Sequence, residues 1–322
     1  SILALWCSCE HPNMMASIAR QLLGMLAVIW VVITAVFLLL HLAPGDPIGI
    51  MLGDSVGMDE SALRQRFGLD LSLWHQYWAF MGGILQGDWG MSIFYHKPVL
   101  ELLWARLPAT LTLAMLAVGI ALLIALPLGI IAAVRKNAWQ DKLAMITALV
   151  GMSIPGFVLG PILIIVLAVD HGWFPVSGMD APYSWVLPAL TLGTALAAIL
   201  TRMLRASLLE VLHEDYIRTA KAKGASESRL LLVHGLRNAF LPILTLVGLQ
   251  LGALLGGAVI IETVFDCPGL GLLLIESINR RDYALVLGAI LLITLFYVLV
   301  NNLLELAYRW LDPRIRSTGG RE

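Results

Sequence analysis

Six stretches of this chain contain no Asp, Glu, Lys or Arg: Gln21–Leu42, Leu107–Val134, Leu143–Val169, Tyr183–Thr201, Ala239–Ile261 and Tyr283–Leu304. A helix needs roughly 18 apolar residues to cross a hydrocarbon core of about 30 Å, and each run reaches that length. In lipid every backbone polar group must be satisfied within the protein, which leaves helices or closed barrels. The two-residue alternation of a barrel strand is absent, so the pattern predicts an all-α membrane protein with six transmembrane helices. Composition agrees: 59% of the 322 residues are hydrophobic and 13% charged, about half the charge of a soluble domain.

The first run is too long for a signal-peptide core, and "HLAPGDP" after it offers no small-x-small cleavage site. It reads as an uncleaved helix within residues 16–43. Residues 1–15 differ in character and are expected to be a leader, artefactual or disordered, with a start at Met14 or Met15. Basic residues set the orientation. With the N-terminus inside, the cytoplasmic segments hold Arg20, then Arg135, Lys136 and Lys142, then seven residues from Arg202 to Arg237, and four from Arg309 to Arg321. Only Arg64, Arg66, Lys97, Arg106, Arg280 and Arg281 fall outside. Both termini, including the tail 310–322, are therefore expected in the cytoplasm.

The external region 44–106 exceeds a connector. "MDESALRQRFGL" has Asp59 as a cap with Leu63 and Phe67 on one helical face. "LWHQYWAFMGGILQ" carries Trp74, Tyr77 and Trp78, suited to a membrane interface. Such a region serves either as a platform for an external partner or as a brace on the spans. A second external stretch, "VFDCPGLG", mixes turn formers with apolar residues. Phe265, Pro268, Gly269, Leu270 and Gly271 are expected to tuck into the outer mouth, as a solute-path lining or as a structural turn. Pro127, Pro155, Pro161, Pro188 and Pro242 are expected to bend their helices.

What the spans lack also constrains function. Ion-coupled transporters carry intramembrane ionisable groups, whereas Glu262, Asp170 and Glu305 sit at span ends. No P-loop, HExxH or GxSxG motif is present. Cys7, Cys9 and Cys267 form neither a disulfide framework nor a zinc spacing. The chain is thus expected to bind no cofactor or metal and to catalyse nothing itself, and any energy for transport must come from another polypeptide. A proton-coupled secondary transporter is the rival class, and a membrane anchor without transport a third.

Between the fourth and fifth runs lies "EDYIRTAKAKGAS". Asp215 can cap a short helix from Tyr216 through Ile217, Arg218, Thr219, Ala220, Lys221 and Ala222 to Lys223; Gly224 then stops it and Ser226 caps a second helix, Glu227 to about Arg237. Eight residues make a helix about 12 Å long, marginal in water without a docking surface. Its small residues allow close approach by another protein, with Tyr216 and Ile217 as apolar contacts. The alternative is a plain positive-inside loop.

The surrounding stretch "SLLEVLHEDYIRTAKAKGASESRLLLVHGLRNAFLPI", Ser207–Ile243, resembles the coupling loop of bacterial ABC-importer permeases of the dipeptide, oligopeptide and nickel class. The resemblance runs from Ala16 to Arg316 and includes "HLAPGDP", "FGLD", "GDWGMSI", "LPATLTL", "PGLG" and "LDPRIR" in that order. The general signature of such permeases, Glu-Ala-Ala followed after three residues by Gly, falls on Arg218, Thr219, Ala220 and Gly224, without the acidic start, as in the peptide subclass. Cys267 replaces the usual aromatic. The resemblance implies a type I bundle of six transmembrane helices with an extracytoplasmic loop domain, a core over 107–309 and a coupling loop over 206–237. It further implies an inner-membrane subunit paired with a homologous permease, two cytoplasmic ATPase domains bound at residues 215–224, and an external solute-binding protein, with no nucleic-acid partner. Di- and tripeptides, including glutathione-like ones, are the expected solutes, with nickel chelates the alternative.

Overall fold

The computed structural model describes residues 14–42, 61, 65 and 70–311. Residues 1–13 of the expected leader, the cap Asp59, the Leu63–Phe67 pair and the tail from residue 312 lie outside the described residues, while Met14 and Met15, placed in the leader by sequence, already belong to the first helix. Among those described, the chain is helical, with one isolated bridge between Met91 and Pro98. In order the helices are α1 (Met14–Leu42), α2 (Leu73–Gln86), α3 (Val99–Val134), α4 (Trp139–Ser153), α5 (Gly156–Leu163), α6 (Val186–Val211), α7 (Asp215–Ala222), α8 (Glu227–Arg229), α9 (Leu236–Phe265), α10 (Leu270–Asn279) and α11 (Tyr283–Leu311). Wider π-helical turns extend α5 through Asp170 and join α8 to α9.

Helices α3 and α6 form the centre. Lipid tails are as apolar as leucine, so association inside a membrane depends on close packing through small residues. Ala117, Ala121, Ala125, Ala132 and Ala133 bury one face of α3. A Cβ on Gly193 of α6 would stand 2.6 Å from the Ala117 carbonyl oxygen, and one on Gly129 of α3 would stand 2.9 Å from Leu204 Cδ2. These two approaches run the helices parallel and put Val134 and Val211 at one end of the bundle, with Val99 and Val186 at the other. The first of these is here called the basic end, after the residues in its loops.

Three helical stretches are long and apolar enough to cross a membrane, Val99–Val134, Val186–Val211 and Tyr283–Leu303, and the number rises to six if each bent pair counts as one span, a count that uses α9 in two pairs and leaves out the shorter apolar part of α1. The third apolar run is such a pair and not one straight helix. Its halves meet at 101°, because Pro155 forces Ile154 into extended backbone, φ −89° and ψ 114°. Pro242 lies within α9, where the axis turns by 42°. Pro188 is not an interior kink: it sits in the first turn of α6, where a missing N–H costs nothing. The apolar part of α1 spans Leu23–Leu39; Phe37 packs with Tyr77 of α2 and Leu287 of α11.

Two boundaries differ from expectation. The second run starts its helix at Val99, so residues 99–106 are helix and not loop. After the fifth run, α10 turns back at 79° to the end of α9, a helix hidden by the glycines that precede it. Between α1 and α3, Tyr77 points inward and shares a 2.8 Å hydrogen bond with Thr34 of α1, while Trp74 and Trp78 are exposed.

Candidate functional site

At the basic end, α7 is the short helix the sequence suggests, shifted by one residue. Glu214, in extended backbone, is the N-cap in place of Asp215, which begins the helix, and Lys223 is the C-cap. Gly224 has φ +83°. Its N–H donates to Lys221 O at 3.0 Å, and the N–H of Ala225 donates to Ala220 O at 3.2 Å. This crossed pair of bonds is the Schellman stop that a left-handed glycine permits. Ser226 occupies the next N-cap position with no cap bond from its hydroxyl, and the helix it starts is a single turn, α8, before the π turn leads into α9.

Burial sorts the faces of α7. Ile217 is buried beside a 630 Å³ cleft lined by Val134, Leu212, Leu230 and Leu231. Ala220, three residues on, is half-buried on the same side. Tyr216 turns its hydroxyl to the bundle, accepting from Asn238 Nδ2 at 2.6 Å. Ile217 and, in part, Ala220 thus anchor the helix to its own chain, while the Tyr216 ring stays exposed with its hydroxyl held by Asn238; one face of an eight-residue helix is taken up in holding it. Asp215, Arg218, Thr219 and Ala222, spaced i, i+3, i+4 and i+7, form the outward stripe and are all exposed, as are Lys221, Lys223 and Gly224. The ion pairs here are open to solvent, Arg218–Asp215 at 3.3 Å and Lys221–Glu227 at 3.8 Å, and hold little.

A contact that the sequence reading does not single out supports this platform. Asp141, in the first turn of α4, receives Arg205 Nε at 2.6 Å and Arg205 Nη2 at 2.7 Å, with the Asn137 N–H at 2.9 Å. Such a fork on a buried carboxylate fixes two helix ends in direction as well as distance. In the sequence Arg205 is one cation among many; the usable signal is an acidic residue in a helix first turn inside a basic segment.

At the opposite end, Phe265 closes α9, Asp266 breaks it at φ +53°, and Gly269 is the N-cap of α10. Leu270 and Gly271 are therefore helical and not loop residues. Phe265, Gly269, Leu270 and Gly271 are buried, and Pro268 is half-buried. The Phe265 carbonyl accepts from Gly178 N–H at 3.1 Å. Nearby, Tyr95 O–H donates to Glu276 Oε2 at 2.9 Å; burial, and then that carboxylate, push the phenol's pKa up and keep it a donor. Arg280 lies 3.5 Å from the Phe94 ring centre.

Residues 125–317 match the family model described as "Binding-protein-dependent transport system inner membrane component", and residues 14–114 match the model of its N-terminal region. The chain belongs to this family. It is an ABC-importer permease of the peptide and nickel class. The permease is 42% identical over 304 residues to the glutathione transport system permease protein GsiC of Escherichia coli strain K12, covering 94% of this chain and 99% of that one. The GsiC of Shigella dysenteriae serotype 1 matches with the same identity and coverage. Among solved structures, an amino acid ABC transporter aligns with TM-score 0.53 at 19% identity over 65% of this chain and 94% of its own. The MetNI methionine ABC transporter, in inward-facing conformations, gives 0.55 at 20% over 66% and 97%. At such identity these two establish the fold.

Proposed function

We propose that this permease forms half of the path for small peptides, with glutathione-like tripeptides the first candidates, in an importer driven by ATPase subunits on the basic side. The carrying observation is α7: a short helix braced on its inner face, stopped by a left-handed glycine, and presenting an unpacked stripe that ends on a small residue. The positive-inside asymmetry supports a cytoplasmic position for this end and for both termini. The six spans are then α1, α3, the α4–α5 pair, α6, α9 and α11, with residues 44–106 outside. The extensive likeness to the glutathione permeases supports the solute class. A homologous permease would complete the pathway, and an external binding protein would deliver the solute. When the ATPase subunits close, they push on residues 215–224, and α9, which follows directly, carries the displacement across the membrane. Hydrolysis is theirs; this chain has no covalent step.

Ala222→Trp tests the reading, because Ala222 is exposed and a bulky ring there meets only the partner. In the complex reconstituted with ATPase subunits and binding protein, this variant should insert normally yet lose both ATPase-subunit retention and glutathione-stimulated ATP hydrolysis. Full retention together with full import would make α7 a plain basic loop.

A further inference from the structure

Glu262, one turn before the end of α9, has no accessible surface. Its carboxylate is fully engaged by neighbours from two other helices. Thr110 Oγ of α3 donates to Oε1 at 2.6 Å, and the N–H groups of Gly271 and Leu272 in α10 donate to Oε2 at 2.7 and 3.1 Å. The Thr110 hydroxyl in turn accepts from the Leu270 N–H at 2.8 Å. The opening N–H groups of a helix have no partner within it and need one when buried. Gly269, the N-cap, has no side chain to offer. Glu262 and Thr110 supply the missing acceptors for three successive donors.

The glycines of "PGLG" are shaped around this group. A Cβ on Gly269 would collide with the Glu262 carboxyl carbon and both its oxygens, and one on Gly271 would collide with the Val259 backbone and approach Oε2 at 2.9 Å. One side chain therefore binds α9, α10 and α3 together. The same α9 begins at the basic loop, immediately after the turn that α7 and α8 make.

We propose that Glu262 is a positioning residue for transport, joining the far end of α9 to α10 and α3 so that displacement of the basic loop reaches the opposite mouth. This rests on the importer reading given above. Without the junction, α9 would move while α10 lagged, and ATP would be spent without import.

The test uses the full complex in vesicles, with glutathione as the probe, and compares Glu262→Gln, Thr110→Val and Thr110→Ser. Gln and Val keep the volume but remove an acceptor; Ser keeps the hydroxyl. The ATP hydrolysed per glutathione imported should rise about tenfold in Glu262→Gln and Thr110→Val and stay within about twofold in Thr110→Ser. Combining Glu262→Gln with Thr110→Val should add nothing, since both break one junction. The buried thiol of Cys267, whose N–H donates to Glu262 O at 2.8 Å, gives a local readout once Cys7 and Cys9 are replaced by Ser. Its reaction with N-ethylmaleimide should quicken about tenfold in the first two variants as the turn opens. Faster labelling with an unchanged ATP-to-solute ratio would reduce Glu262 to a folding cap and overturn the proposal. If Glu262→Gln fails to reach the membrane, an unchanged ratio in Thr110→Val overturns it equally. A wild-type complex that ignores glutathione counts against the proposed solute, not the junction; equal Cys267 labelling in wild type and Thr110→Val then decides against the junction.

Discussion

Gly224→Ala isolates the contribution of one backbone conformation at the candidate docking site. Among the described residues, no atom beyond the two adjoining residues lies within 4 Å of the position a Cβ would take, so the substitution meets no tertiary neighbour. The whole cost is conformational: at φ +83° a Cβ crowds the following carbonyl, at about 1–2 kcal/mol. Alanine also restricts the chain when the turn is open, returning about 0.4–1 kcal/mol. The net penalty is about 1 kcal/mol, close to a fivefold fall in the ratio of formed to open turn. If the ATPase subunits bind only the formed turn, their apparent affinity for the permease falls with the formed fraction, by at most that factor. Asn, which visits left-handed backbone through local hydrogen bonds, should lose less; Val, branched at Cβ, should lose more. Titrating ATPase subunits against each purified variant, with membrane insertion as the control, reads the order Gly, Asn, Ala, Val. Equal affinity for Gly and Val would show that the Schellman stop plays no part in docking.

One further outcome concerns the basic end, and another compares the two ends. Asp141→Ala leaves the Arg205 guanidinium, one quarter exposed, without its carboxylate; thermal stability in detergent should drop by about 2–3 kcal/mol, less than for a fully buried pair, and Asp141→Asn should recover part of it. In a background lacking native cysteines, a cysteine at Ser226 should react only once the cytoplasmic face is opened, and one at Asp180 should react with an impermeant maleimide from outside; reversed labelling would overturn the orientation.

The spans were legible because lipid imposes a coarse rule, length without charge, that α3, α6 and α11 obey. Their ends were less so. Residues 99–106 continue α3 although Glu101 and Arg106 read as loop, since a helix can project past the bilayer once its apolar face, Val99 and Leu103, packs on Leu285 and Ala289. The fold at Pro155 was signalled by the proline, but not its angle, which depends on what the second half packs against. In α7 the stop at Gly224 was visible as local chemistry, while the assignment of Ile217 and Ala220 to the inner face was not, because eight residues carry too few turns to show a stripe against so even a background. Glu262 was read as the end of a span because two of its partners are backbone N–H groups of α10, which leave no side-chain signal, and the third, Thr110 on α3, lies 152 residues away along the chain.

Gly269 has φ −99° and ψ −175°, backbone that any amino acid adopts. Its glycine is demanded by space alone, and that space is filled by the end of the side chain at position 262. The two sites therefore cannot change independently. A larger residue at 269 becomes acceptable only after 262 has shortened, and a lineage that altered 269 first would pass through a protein whose α10 cannot seat. The order of substitutions is built into the packing: the carboxylate must retreat before the glycine can be replaced.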